Sequence, residues 1–217
     1  MRVEIWSDIV CPWCYIGKAR FEQGLAAFDH RDQVEVVHRS FELDPDQPKG
    51  DTVPVLDMLA TKYRVPREQA QAMEARVAEA AADAGLGYRS DRDHGNTFDV
   101  HRLLHLAKAR GRQSELLDRL YAANFAEERS LFDPETLLSA AAEAGLDPAE
   151  ARTVLDDETA YAEDVRADES EAAALGASAV PFFVLDRRFG VSGGQPAEIF
   201  TQALSQAWEA SQVSGDK

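Results

Sequence analysis

Residues 2 to 7, RVEIWS, alternate polar and apolar positions and carry Val3, Ile5 and Trp6. That period of two predicts a strand. From Pro12 to about Phe28 the spacing becomes helical, with Pro12 in the first turn, where its missing N–H costs nothing. Residues 34 to 38, VEVVH, predict a second strand, and Glu42-Leu43-Asp44-Pro45 opens a Pro/Gly/Asp loop that runs through Gly50. The opening fifty residues thus read as a β-α-β unit.

Between about 52 and 178 the chain is rich in Ala, Leu, Glu and Arg, and helix punctuation recurs. Helices are expected near 54–63, 67–84, 98–110 and 113–127, with Gly85 and Gly111 as stops. Asp133-Pro134 opens another that ends at Gly145, and Asp147-Pro148 a further one, with Glu150 placed to complete a capping box. The β-signal returns late. Val180 to Leu185 and Phe189 to Ser192 read as a hairpin around Asp186-Arg187-Arg188, and Gly193-Gly194-Gln195-Pro196 leads into a last helix with Ile199, Phe200, Leu204 and Trp208 on its apolar side. The tail after Trp208 is expected to fray.

The order is therefore β-α-β, helical insertion, β-β-α, an α/β arrangement with one domain formed by 1–50 and 178–212 and an inserted helical domain at 51–177. No fixed-period similarity marks a repeat array. A length of 217 residues suffices to bury a core without disulfide staples.

Charge narrows the function. A formal net charge of −16, with no stripe of Lys and Arg to offset it, argues against nucleic acid as a partner, because that binding is driven by cations neutralising phosphates. At 45% hydrophobic residues the chain is too apolar for disorder, so its acidity is assigned to solvated helix faces, including the run from Asp156 to Glu171. That run lacks the spacing of a calcium loop. No segment approaches the length of an apolar membrane span, and the N-terminus lacks the basic-then-apolar layout of a signal peptide. The expectation is a cytoplasmic protein with no membrane partner.

The candidate chemistry sits in Cys11-Pro12-Trp13-Cys14, which holds both cysteines of the chain. A Cys-x-x-Cys where a strand feeds a helix in a β-α-β unit reads as a redox pair. Cys11 falls at the helix N-terminus, where unpaired N–H groups and the helix dipole favour a thiolate, and Cys14 lies one turn on, close enough to close a disulfide. The first thiol attacks and the second resolves. A purely structural bridge would close almost no loop, and loop length is where its entropic stabilisation arises. Zinc needs four ligands, and the other helically spaced pair, His101 and His105, is remote in sequence; no metal is expected. Trp13 adds bulk but no cation; Asp8, three residues before Cys11, would oppose thiolate formation if its carboxylate lies near, and is read in the first place as a turn-stabilising residue.

Taken in order, WSDIVCPWCYIGKARFE, SFELDP, NTFDVHRLLHLAK, AVPFFV and VSGGQP resemble the DsbA-like thioredoxin superfamily, and within it the cytoplasmic FrnE-like branch, related to the glutathione-dependent 2-hydroxychromene-2-carboxylate isomerases. The resemblance implies a thioredoxin fold with a large inserted helical domain. It also implies a cis-proline site at Val180-Pro181 facing Cys11; the sequence by itself leaves the isomer open, since a proline can also begin an edge strand in trans. The implied activity is thiol-disulfide exchange on protein or small-molecule disulfides, with Cys11 and Cys14 catalytic and Pro12, Trp13, Val180, Pro181 and His101 at the substrate. Asn96 and Arg102 match the same groove segment. Against this, Phe98, His101, Leu104 and His105 share one helical face, which suits a histidine satisfied at the rim of a bundle.

No bound cofactor is expected, with glutathione the candidate co-substrate. The alternative reading is a glutathione-dependent isomerase of a small aromatic or polyketide-like molecule, since some FrnE-like proteins are associated with polyketide pathways. The isomerases use a serine in place of the first cysteine, whereas this chain keeps both. A groove that holds peptides without turning over disulfides is a third reading. A couple at about −120 mV set against a cytosolic poise near −260 mV would be held reduced by roughly four to five powers of ten, so the expected direction in the cytoplasm is reduction or isomerisation.

Overall fold

The computed structural model describes residues 1–215. The chain parts into two compact units, Met1–Phe41 together with the segment from Asp168 onward, and Glu42–Ala167.

The first unit is built on a four-stranded sheet. β1 (Arg2–Ser7) runs parallel to β2 (Glu35–Ser40), joined by helix α1 (Pro12–Ala26). A parallel pair requires such a crossover, and α1 supplies it. On its other side β1 pairs antiparallel with β5 (Phe182–Leu185), and β5 with β6 (Phe189–Ser192), giving the order β2-β1-β5-β6. Helix α9 (Ala197–Gly215) follows, so the segment after Trp208, expected to fray, is instead helical through Gly215, and its last two residues lie outside those described. The β-α-β and β-β-α halves thus share one thioredoxin-type sheet, as the element order anticipates.

The strand period of two sorts the core. Val3 and Ile5 of β1 face the same side as Phe183 and Leu185 of β5, and meet Phe21 and Phe28 from the α1 side and Phe200, Leu204 and Ala207 of α9. Phe21, Phe183 and Phe200 form a ring cluster with centroids 4.6 to 5.6 Å apart. Ile199, expected on the apolar side of the last helix, is 41% exposed. It is one residue from the buried Phe200, and a step of 100° carries it off the face.

The opposite face of the sheet carries Trp6 and Val184, packed by the helical Ala172, and beside them Glu4, whose carboxylate is forked between Arg39 and Arg187. Asp168 accepts from Arg39 at 2.8 Å and from the Ser40 N–H at 2.9 Å, and its carbonyl accepts the Trp6 indole N–H at 2.8 Å. The acidic run is therefore not uniformly solvated, because Asp168 turns inward to satisfy a strand-borne arginine.

The second unit contains α2 (Val55–Tyr63), α3 (Arg67–Asp83), α4 (Phe98–Ala109), α5 (Gln113–Phe125), α6 (Pro134–Glu143) and α7 (Pro148–Asp156), and α8 (Ala162–Ala174) carries the chain back. Gly85, Gly111 and Gly145 take positive φ just past α3, α4 and α6. After each, an N–H reaches back five residues, as in Leu86 to the Ala81 carbonyl at 2.9 Å, which closes the helix end. Asp133 and Asp147 cap α6 and α7 by accepting from Glu135 and Ala149. The expected capping box at Asp147 does not close, because the Glu150 carboxylate goes to the Arg110 guanidinium at 2.7 and 2.9 Å. A short ribbon of β3 (Thr52–Pro54) and β4 (Asp93–Gly95) was not anticipated.

Candidate functional site

Cys11 is the N-cap of α1, with φ −86° and ψ 111°, and its carbonyl accepts the first helical bonds, from Cys14 at 3.1 Å and Tyr15 at 3.2 Å. Its own N–H is tied to the Asp8 carbonyl at 3.2 Å. Pro12 at N1 enforces the helical φ while giving up no hydrogen bond. The attacking position is thereby fixed at the end of the helix, where main-chain N–H groups point outward.

Both thiols are unbridged. Cys11 is 5% exposed and Cys14 1%. Burial pushes the Cys14 thiol well above the ordinary cysteine range, and its hydrogen bond to Cys11 adds to the rise; an Asp8 main-chain hydrogen bond works against it. Cys14 thus keeps its proton, and Cys11, itself buried, is the less deeply covered of the two. Asp8 is buried and its charge bears on Cys14, a closer involvement than a turn residue requires.

Opposite the motif, the Val180-Pro181 bond is cis, and the Cys11 Sγ lies 3.7 Å from the Val180 carbonyl oxygen, to which it donates. Trp13, between the cysteines, is 42% exposed, a large apolar surface at the mouth of the site. The structure brings Cys11, Pro12, Trp13, Cys14, Val180 and Pro181 together within the first unit. His101 belongs to the second unit, where α4 is buried on all sides, with Val100, Arg102, Leu103 and Leu106 as deep as His101 itself at 1% exposure. The expected rim position is therefore replaced by an interior one.

Two companions of His101 have structural tasks. Arg102 is fully buried and donates to the Val154, Asp157 and Ala160 carbonyls, closing the C-terminal end of α7, while Asp99 takes its other edge. Asn96 accepts from the Phe98 N–H at the start of α4 and donates to the Gln47 carbonyl.

Sequence reading missed Gly17, Arg20 and the proximity of Gly194. A Cβ on Gly17 would lie 2.9 Å from Pro181 Cγ, and Gly17 faces Gly194. Arg20 donates to the Gly194 carbonyl at 2.7 Å. The only signal was a glycine inside a helical pattern, which marks close approach without naming the partner. Among the described residues no group of three or more His, Cys, Asp or Glu is arranged to hold a metal ion, and no helix is long and apolar enough to cross a membrane.

The description of a DsbA-like thioredoxin domain matches residues 2–205. The chain belongs to that family. It is similar to a probable DsbA oxidoreductase from Streptomyces coelicolor, at 66% identity and a TM-score of 0.94 over 96% of this chain and 90% of the other. YwbO of Bacillus subtilis is 28% identical over 94% of this chain and 96% of its own. At the level of fold it also matches the cytosolic disulfide reductase DsbM of Pseudomonas aeruginosa with GSH, at 19% identity, a TM-score of 0.64 and coverage of 96% and 100%. A 2-hydroxychromene-2-carboxylate isomerase matches at 13% identity and a TM-score of 0.67, with both chains covered fully. Membership of the DsbA-like thioredoxin domain family and the likeness to the fold of these isomerases agree with the resemblance read from the motifs.

Proposed function

We propose that this protein is a thiol-disulfide oxidoreductase working through Cys11 and Cys14. The observation that carries the reading is the placement of Cys11 at the α1 N-cap, one helical turn from the buried Cys14, with the Val180 carbonyl 3.7 Å from the attacking sulfur.

The Cys11 thiolate attacks one sulfur of a substrate disulfide, forming a Cys11–substrate disulfide and releasing the other sulfur as a thiolate. That leaving thiolate takes up the Cys14 proton, and Cys14 then attacks Cys11 Sγ. The Cys11–Cys14 disulfide closes, the second substrate sulfur leaves as a thiolate that takes a proton from water, and two electrons have passed to the substrate. Two molecules of glutathione would return the pair to the dithiol, each giving one electron and together forming one disulfide. Val180 and Pro181 offer a main-chain edge to an extended substrate, and Trp13 gives its side chains an apolar surface. His101 has no part in this proposal, which rests on residues of the first unit alone. A cytoplasmic setting fits reduction or isomerisation of disulfides by such a pair.

Purified protein equilibrated in glutathione buffers, with free thiols counted and Trp13 fluorescence followed, is expected to show one reversible two-thiol transition. Cys14→Ser is expected to accumulate mixed disulfides on a non-reducing gel, and Cys11→Ser to abolish exchange. Thiols that stay free throughout, or that take up single glutathione adducts only, would sink the oxidoreductase reading and favour the isomerase.

A further inference from the structure

A row of hydrogen bonds links the middle of α1 to the substrate edge. Arg20 Nη1 donates to the Gly194 carbonyl at 2.7 Å. The neighbouring Gly193 N–H donates to the Pro181 carbonyl at 2.8 Å, and the preceding carbonyl, that of Val180, faces the Cys11 sulfur. Gly193 has a φ of +79°, so the turn that carries both contacts adopts a backbone conformation with little intrinsic preference to hold it there.

The contact surface is made for this approach. A Cβ at Gly194 would lie 3.1 Å from the Trp13 carbonyl, and one at Gly17 would lie 3.3 Å from the Gly194 Cα. Two missing side chains let the turn settle on α1, and the half-buried Arg20, one helical turn beyond Gly17, reaches over to fasten it. The hydrogen bond of Arg20 goes to the main chain of the turn. Its position bears on the main-chain edge and leaves the thiols to the helix end.

We infer that Arg20 is a positioning residue, which through the Gly193-Gly194 turn sets the Val180-Pro181 edge against which an extended substrate is held during capture by Cys11. The inference rests on the oxidoreductase reading and adds a specificity determinant to it: substrates that use the edge depend on Arg20, and small disulfides that reach the sulfur directly do not. A charge-assisted bond to a carbonyl is worth about a factor of ten or somewhat more in an equilibrium.

The test is made in the Cys14→Ser background, where capture stops at the mixed disulfide. Rates of capture are measured for hydroxyethyl disulfide and for an extended peptide containing one disulfide, with Arg20→Met and Arg20→Lys. Arg20→Met is expected to slow capture of the peptide about tenfold, through its half-saturating concentration, while capture of hydroxyethyl disulfide changes less than twofold. Arg20→Lys, which keeps a donor, is expected to recover most of the loss.

Amide hydrogen exchange gives a readout independent of activity: the Gly193 N–H should exchange faster in Arg20→Met and near the parent rate in Arg20→Lys. Equal loss for both disulfides would mean general damage and overturn the inference, as would unchanged peptide capture or unchanged Gly193 exchange. A parent protein that captures neither disulfide would instead remove the oxidoreductase reading, with normal Gly193 protection showing that the turn itself is intact.

Discussion

Cys11 and Cys14 are chemically identical, and their surroundings make them different. Both are buried, but one caps a helix and meets the Val180 carbonyl, while the other lies one turn in and is held well above the ordinary cysteine range by burial and its neighbour. His38 on β2 shows the same effect on a base. Burial, assisted by the nearby Lys18 charge, pushes its imidazole down to about 3 from an ordinary value of 6.5. The folded protein keeps His38 neutral, whereas the unfolded chain protonates it below about 6.5, so the unfolded state binds the extra proton and stability falls as pH drops through this window. The expected slope is about 1.4 kcal/mol per pH unit between roughly pH 6 and 4.5, the value for one proton. Denaturant unfolding of His38→Asn at several pH values should lack that slope. A variant that keeps the slope of the parent would show that another group carries it.

At the scale of elements, α1 and α9 meet through glycine. A Cβ on Gly24 would stand 2.6 Å from the Ala197 carbonyl and 2.9 Å from Phe200 Cβ, and Thr201 donates its hydroxyl to the Gly24 carbonyl at 3.0 Å. Backbone on the far side cannot rotate away, so Gly24→Ala is expected to destabilise by about 2 kcal/mol, visible as a lowered denaturation midpoint. A neutral or stabilising Gly24→Ala would mean that the helices separate without loss.

The pattern of the chain shows how much of this is local. Helix ends at Gly85, Gly111 and Gly145, the α1 start at Pro12 and the two-faced strands were legible because their causes lie within a few residues. The β3–β4 ribbon was not, since Asp93–Gly95 has no β-branched residue and becomes a strand through pairing with Thr52–Pro54 some forty positions earlier. Asp168 looked like one more surface acid until Arg39, 129 positions away, came to meet it. The CPWC pair and Val180-Pro181 were readable as motifs, whereas Arg20 had no signature, because its partner is a main-chain carbonyl that any residue could offer.

At the scale of the first unit, Glu4 joins three parts of the fold. Arg39 of β2 and Arg187 of the β5–β6 turn both bond its carboxylate, at 2.5 Å each, and both arginines also reach Glu171 on α8. Burial raises the Glu4 carboxyl, but the hydrogen bonds and charges of the two arginines outweigh it and leave the group below the ordinary glutamate range. A lowered folded value means that the stabilisation is complete above the unfolded value and is lost as pH falls through the folded one. An acid limb beginning near pH 4.5 is therefore expected in the parent and is expected to be shallower in Glu4→Gln, other carboxyls such as Asp99 being lowered as well. At neutral pH Glu4→Gln should destabilise by less than the roughly 3 kcal/mol of a buried charge left unpaired, because Arg39 keeps Asp168 and Glu171 and Arg187 keeps Glu171. An unchanged unfolding free energy at pH 7 would show that the remaining acids compensate.

The whole molecule adds a long-range term. With a net charge of −16, the protein sets up a field that repels anions and gathers cations before any contact is made. Oxidised glutathione is an anion at neutral pH, and cystamine, a disulfide of comparable reactivity, is a cation. At about 20 mM salt the field extends some 20 Å from the surface, and at about 500 mM it is confined to a few ångströms. Capture by Cys11 in the Cys14→Ser background is therefore expected to speed up with salt for oxidised glutathione and slow down for cystamine, the two rates converging at high ionic strength. Neutral hydroxyethyl disulfide should stay flat across the series and so separates screening from any effect of salt on the thiol. Parallel salt curves for the anion and the cation would mean that the charge is balanced locally around Cys11, and that glutathione approaches without an electrostatic barrier.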